Sequence, residues 1–458
     1  VRFCKGQLIH RCSAIITGLA LTLASTSTSS LNAETFGDQS LGWTRDQEAA
    51  VAGYLQRRLQ RQGLVINDVW VEYWLHERAE RLRQASNIPL YELTTLTIDD
   101  SRFNAFALPG NVMGFNLGLW RTAETEAEFV SVMGHELAHL KLRHFSRLQD
   151  ASRQQSWLAI SGALLGIALM TSNSELGAAT FTGAQASAIQ QSLAFSRTME
   201  SEADDLSSRT LAEIGYDAHA GAQVFRRMQQ QIAYQTSASD YWQSHPLPAS
   251  RVARLDDLDE NTNPADQPDH NYDVVRWHLN RAHRPNDNFA PWPARYRALL
   301  LAKPNGSVLP DELLQQADPD LMLGWILHQK DQFNPTQVSA QLANLTQLFP
   351  DFDPGWFWQA QWMSKQEDTG ACRQARAYLD NVEDVYLEVL ELSQQLAARC
   401  QPERETEARA AWLWYSGEES AAINLLRQAI EQPANTSQLA RLRQQLTMFE
   451  RQRNLLPS

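Results

Sequence analysis

The sequence predicts a mainly α-helical protein with a small β-sheet, organised as a sheet-bearing domain followed by a stack of helical hairpins. Three observations carry this reading. Apolar residues recur at helical spacing through most of the chain after Trp43, extended signals are confined to 91–98 and 105–119, and only helical patterns follow an acidic, Pro-bearing run at 259–269. A length of 458 residues exceeds what a single core usually serves, so two unequal domains are expected. A hydrophobic content of 43% excludes a disordered chain. The formal charge, 40 − 53 = −13, argues against a nucleic-acid binder or a protein held to anionic lipid by charge.

Residues 1–33 read as a secretory leader. Arg2, Lys5 and Arg11 form a positive start, Ser13 to Ala24 is a short apolar core, and Ala33 is a small residue at the expected cleavage point. Cleavage there would leave 425 residues with a charge of 37 − 53 = −16 and two cysteines, Cys372 and Cys400. In an oxidising compartment that pair is expected to form one disulfide.

A first domain is expected over 34–258. Two helices span about Trp43 to Ser86. Tyr91 to Ile98 reads as a strand, and Pro109-Gly110-Asn111 breaks a second extended stretch as a turn. Met113, Phe115 and Leu117 alternate as an edge strand would, and such an edge could hold an extended peptide through its main chain. Thr125 and Glu128 form a capping box that opens a helix running to about Leu148. Residues 154–196 hold one charge, Glu175, and an apolar centre too short to span a bilayer unaided. They read as buried core, a lid or a membrane contact, and any membrane contact would have to come from there. Helices follow over about Ala188 to Glu213, stopped by Gly215, and Ala218 to Tyr234.

Residues 259–285 are expected to be a linker or long loop, and 286–458 a tetratricopeptide-like array, with Trp325 and Trp358 at a spacing of 33. Cys372 falls near the start of one helix and Cys400 near the end of the next. Those ends are adjacent in antiparallel neighbours.

His135-Glu136-Leu137-Ala138-His139 lies inside the capped helix. Residues four apart share a face, so both imidazoles can reach one metal ion, and Glu136 sits about 100° round, close enough to act as general base on a water there. Zinc, one ion per chain, suits such a zincin helix. Metzincins carry Gly and His where this chain has Leu142 and Phe145, so that class fails. Glu200 and Asp204 offer the missing carboxylate, one as ligand and one as partner to a ligating His, with Glu202 pointing away from their face. His144 reads as a basic cap at the helix end.

Asn104-Ala105-Phe106-Ala107-Leu108-Pro109-Gly110, then Gly118-Leu119, Val132 to His139, Arg197 to Asp204 and Gly215-Tyr216-Asp217 follow one another as in the Ste24/OMA/HtpX-type zinc metallopeptidases, which the chain resembles. His245-Pro246-Leu247-Pro248, Arg251 and the helical tail resemble an exported branch of that group. Asn111 departs from the pattern, which usually has a second Gly there. The resemblance implies zinc on His135, His139 and Glu200, Glu136 as base and Asp204 behind the ligands. It implies His245 as a fourth ligand that holds the enzyme latent, or as an oxyanion donor. Asn111, Met113, Phe115 and Arg251 are the expected substrate contacts. The implied role is periplasmic quality control in a Gram-negative bacterium, degrading misassembled outer-membrane proteins and assisting their assembly, with the repeats meeting the barrel-assembly machinery. The alternative is a chaperone or adaptor with a latent metal site.

Overall fold

The computed structural model describes residues 44–87, 93–108, 110–144, 147, 196–233, 245, 249–257, 271–287, 289–296, 309–433 and 435–456. The expected leader, the low-charge stretch 154–195 and the acidic run 259–269 lie outside the described residues.

Helix α1 (Arg45–Arg61) opens on a capping box in which Thr44 and Gln47 satisfy each other's backbone N–H. Helix α2 (Val69–Ala85) is capped by Asp68, whose carboxylate accepts from the N–H of Trp70 and Val71. The short strand β1 (Val65–Ile66) lies between them. Strands β2 (Thr94–Ile98), β3 (Ala105–Leu108) and β4 (Val112–Asn116) complete a four-stranded sheet of order β1-β2-β4-β3. β4 pairs in parallel with β2 and antiparallel with β3, so that Met113 stands between Thr95 and Ala107.

This corrects the edge-strand expectation. All five residues of β4 are buried and its backbone is paired on both sides, which leaves no ladder for a peptide at Met113 or Phe115. The outer strand beside β4 is β3. Asn111, in the turn between the two, adopts φ +64°, a conformation Asn tolerates better than other non-Gly residues, so its departure from the family pattern is accommodated. It lines a cavity of about 690 Å³ with residues of α1 and of the last helices, among them Tyr415 and Met448.

Helix α3 (Leu117–Thr122) leads into α4 (Glu126–Lys141). Thr125 caps α4 by accepting from the N–H of Glu128, but the Glu128 carboxylate accepts from the N–H of Glu124, one residue earlier than a capping box requires. Helices α5 (Arg197–Glu213) and α6 (Ala220–Ala233) pack on it, and α7 (Ala249–Asp256) packs on those two. Helix α8 (Tyr272–His283) occupies most of the described part of the expected linker. Its Tyr272 ring lies 5.1 Å from Trp74 and 5.7 Å from Trp120, and Trp120 lies 4.4 Å from Phe129 of α4. Burying rings of this size contributes on the order of 2–3 kcal/mol each, enough to fix α8 as core.

The same core continues through Trp325 and Leu323 to Leu342 and Leu345. It joins residues on both sides of the acidic run.

Helices α9 (Asp311–Gln316), α10 (Pro319–Gln329), α11 (Pro335–Leu348), α12 (Asp353–Ser364), α13 (Thr369–Leu379), α14 (Leu387–Cys400), α15 (Glu405–Tyr415), α16 (Glu419–Glu431) and α17 (Thr436–Asn454) follow. From α10 onward each packs on its sequence neighbour. Cys372 on α13 and Cys400 on α14 lie at disulfide distance, with sulfurs 2.10 Å and Cα atoms 6.1 Å apart. The end of the stack meets α1. Arg57 Nε donates to Glu419 Oε1 at 2.7 Å, Arg451 donates to Asp46 at 2.8 Å, and Gly417, at φ +91°, passes so close that a Cβ there would sit 2.3 Å from the Arg57 carbonyl. No helix among the described residues is long and apolar enough to cross a membrane.

Candidate metal centre

α4 and α5 approach closely because the residues between them are small. A Cβ on Gly134 would fall 2.7 Å from the Ser207 hydroxyl, which donates to the Ser131 carbonyl at 3.1 Å. That approach sets Glu200 and Asp204, two turns and one turn before Ser207, opposite His135 and His139.

The structure brings His135, His139, Glu200 and His245 together, with one donor atom from each within 4.8 Å of all the others. The two helix imidazoles face each other through Nε2 at 2.9 Å. Glu200 offers Oε2 at 3.4 Å from His135 and Oε1 at 3.6 Å from His139. His245 Nδ1 lies 3.1 Å from Glu200 Oε1 and 3.4 Å from His135 Nε2. Nitrogen and oxygen donors about 2.0–2.1 Å from a tetrahedral ion stand roughly 3.3 Å from one another, so these spacings fit a divalent cation. All four donors are at most 2% exposed. Glu136 is fully buried beside them, and among the described residues neither of its carboxylate oxygens has a hydrogen-bond partner. A buried carboxylate is not left so without cost, and its orphaned oxygens are what a ligand at the cluster would satisfy.

The protonation of the cluster follows from burial and mutual charge. Burial pushes the Glu136 carboxyl up, with the charges of His245 and His135 opposing. Burial acts to raise Glu200 as well, but the charges and hydrogen bonds of His245 and His135 hold it far below the usual carboxylate range. Burial lowers His139, and the neighbouring His135 charge lowers it further. Burial acts to lower His135, but Asp204 and Glu200 outweigh it and pull the ring up to about 9. A cation on these nitrogens would take the place of that proton.

Behind the donors stands a second layer. Asp204 Oδ1 lies 3.0 Å from His135 Nδ1. Arg251 grips Asp204 with two hydrogen bonds of 2.8 Å, approaches Glu200 Oε2 at 2.5 Å, and is 3% exposed. The expected substrate contact at Arg251 is therefore corrected: its guanidinium is spent on the two carboxylates and faces the interior. His144 is corrected too. It is fully buried, with Nδ1 2.8 Å from His139 Nδ1 and Nε2 3.1 Å from Glu202, which is turned away from the donors. Helical periodicity does not foresee this, because a helix continued past Lys141 would carry His144 away. Arg143, at φ +56°, ends the helix and turns the chain back.

Residues 70–259 match Peptidase family M48. The M48 segment holds every residue of the donor cluster and of the layer behind it. A Vibrio cholerae protein bearing the name putative beta-barrel assembly-enhancing protease is 32% identical over 209 residues, 46% of this chain and 43% of its own length. The beta-barrel assembly-enhancing protease of Escherichia coli K12 is 28% identical over 207 residues, 45% and 42% of the two chains. The mitochondrial metalloendopeptidase OMA1 of Arabidopsis thaliana is 25% identical over 214 residues, 46% and 41%. The chain thus matches less than half the length of these relatives.

Proposed function

We propose that the protein is an exported zinc-dependent endopeptidase of periplasmic protein quality control, acting on misassembled outer-membrane proteins. The observation that carries the reading is the convergence of His135, His139, Glu200 and His245 beside a buried Glu136 carboxylate that has no hydrogen-bond partner among the described residues. The names of the relatives support the substrate class, and the cysteine pair at disulfide distance supports an oxidising compartment.

His135, His139 and Glu200 would hold the ion, and imidazole and carboxylate donors suit zinc. When bound, zinc supplies Lewis acidity toward a peptide carbonyl and toward water. The remaining work belongs to the chain. Glu136, with its pKa raised by burial, is the base that takes a proton from the attacking water and passes it to the leaving amine. Asp204, fixed by Arg251, holds the His135 ring in register. His245 stands inside the cluster with Nδ1 toward the donors and Nε2 3.7 Å from Glu136, so the arrangement reads as latched, and substrate entry requires its withdrawal. The outer strand β3, packed beside α4, is the candidate for pairing with an extended peptide. The helical stack would select or position the substrate, in the manner of tetratricopeptide repeats at the barrel-assembly machinery.

Glu136→Gln should keep the metal and the fold and lower cleavage of an unfolded outer-membrane protein by about 10²–10⁴-fold. Cleavage at the wild-type rate would refute the assignment. His245→Ala should raise basal cleavage as a latch. A fall would instead make it an oxyanion donor, and no change would remove it from the site. A second reading, an adaptor acting through the helical stack, is favoured by the latched His245. It is distinguished by assembly activity that survives in Glu136→Gln.

A further inference from the structure

His135 and His139 are four residues apart on one helix face, yet they are supported differently. His135 has a carboxylate against its outer nitrogen, with Asp204 Oδ1 3.0 Å from Nδ1. His139 has another imidazole there, with His144 Nδ1 at 2.8 Å. The two rings meet edge to face, 73° apart in plane and 4.9 Å between centroids. His144 in turn reaches Glu202 Oε2 through Nε2 at 3.1 Å, and Arg147 donates to the same oxygen at 2.6 Å.

We propose that His144 is a positioning residue for the metal centre, fixing the tautomer and ring orientation of His139 through a relay that runs from His139 through His144 to Glu202. The inference rests on the metal-site reading above.

The direction of each bond follows from the chemistry. His139 can offer Nε2 to a cation only as a neutral imidazole, so its proton must lie on Nδ1. That N–H points at His144 Nδ1, which must then be the acceptor. His144 carries its own proton on Nε2, and that proton points at Glu202. One carboxylate at the rim of α5 therefore sets the state of two rings in series. Both carboxylates that orient the ligating histidines, Asp204 directly and Glu202 through His144, come from the same helix, two residues apart on opposite sides. The left-handed turn at Arg143 brings His144 beneath His139.

The test compares acceptor with ring. In the full chain, His144→Ala removes the acceptor, while His144→Asn keeps an oxygen where Nδ1 stands. Zinc affinity, measured by competition with a chromophoric chelator, should weaken by about 10–100-fold in His144→Ala and stay within about threefold of wild type in His144→Asn. The visible spectrum of the cobalt-substituted protein should shift in the first and not in the second. Wild-type affinity in His144→Ala would overturn the relay, as would an equal loss in both variants, which would mean that the ring only fills space. Should His144→Ala fail to fold, Glu202→Ala against Glu202→Gln poses the same comparison at the exposed end. There Gln should retain affinity and Ala lose it severalfold, and equal affinity in both would overturn the relay. A wild-type protein that binds no zinc would refute the metal-site reading itself, a result distinct from any difference between variants.

Discussion

Arg57, in α1, donates from Nε to Oε1 of Glu419, 362 residues further along the chain, and lays its guanidinium 4.4 Å over the Trp414 ring. The Arg57 side chain is 3% exposed and that of Glu419 22%, so the pair is held away from most of the screening that makes surface ion pairs weak. Arg57→Ala should cost about 2–4 kcal/mol, because it removes a charge-assisted hydrogen bond and a cation–π interaction in one step. Gly417→Ala should also destabilise, because its Cβ would strike the Arg57 carbonyl. Urea midpoints read both effects. A change in neither would show that the stack does not lean on α1.

A pH dependence should come from Asp320, which is buried and accepts from Trp70 Nε1 at 2.5 Å. Burial, with the nearby Asp318 charge adding to it, pushes this carboxyl up to about 7. The folded state therefore holds a proton that the unfolded state has released above about 4. Stability should fall as pH rises from about 4 through about 7 and then level off. Asp320→Asn, which keeps an acceptor for Trp70, should flatten that slope and be the more stable form at pH values above about 7. Denaturation midpoints across that range check it, and parallel wild-type and variant profiles would contradict it.

Cys372 and Cys400 supply a third test. Oxidised protein should gain the mass of two hydrogens on reduction. A sequence separation of 28 residues predicts about 3.5 kcal/mol of stabilisation from the closed bond. Cys372→Ser should therefore lower the unfolding temperature of the oxidised protein and leave the reduced protein little changed. A mass that reduction does not alter would remove the disulfide from the account.

What the sequence makes legible is what is local. His135, Glu136 and His139 are related by one turn of a helix, and Glu200 and Asp204 by another, so spacing alone places each group on a face. His245 lies in no repeating pattern, and only resemblance reaches it. His144 escapes periodicity because a single left-handed residue, Arg143, reverses the chain where a helical pattern assumes that it continues. β4 escapes for a different reason. Alternation of Met113 and Phe115 marks a face, but a central strand buried on both faces can carry the same residues as an edge. Helix α8 is masked by the acidic run before it, whose polarity suggests a linker where the following residues are in fact core.

The contacts between the first and last described helices have a practical consequence. With Asp46 held to Arg451 and Gly417 seated on Arg57, the start of α1 and the end of α17 are brought together. A short peptide could splice these two ends, and the chain could be reopened at an exposed turn between two helices of the stack. Such a rearranged protein would keep the histidine helix and its carboxylate partners in one unbroken segment. It would also free a new terminus, on the helical stack, for attaching a probe.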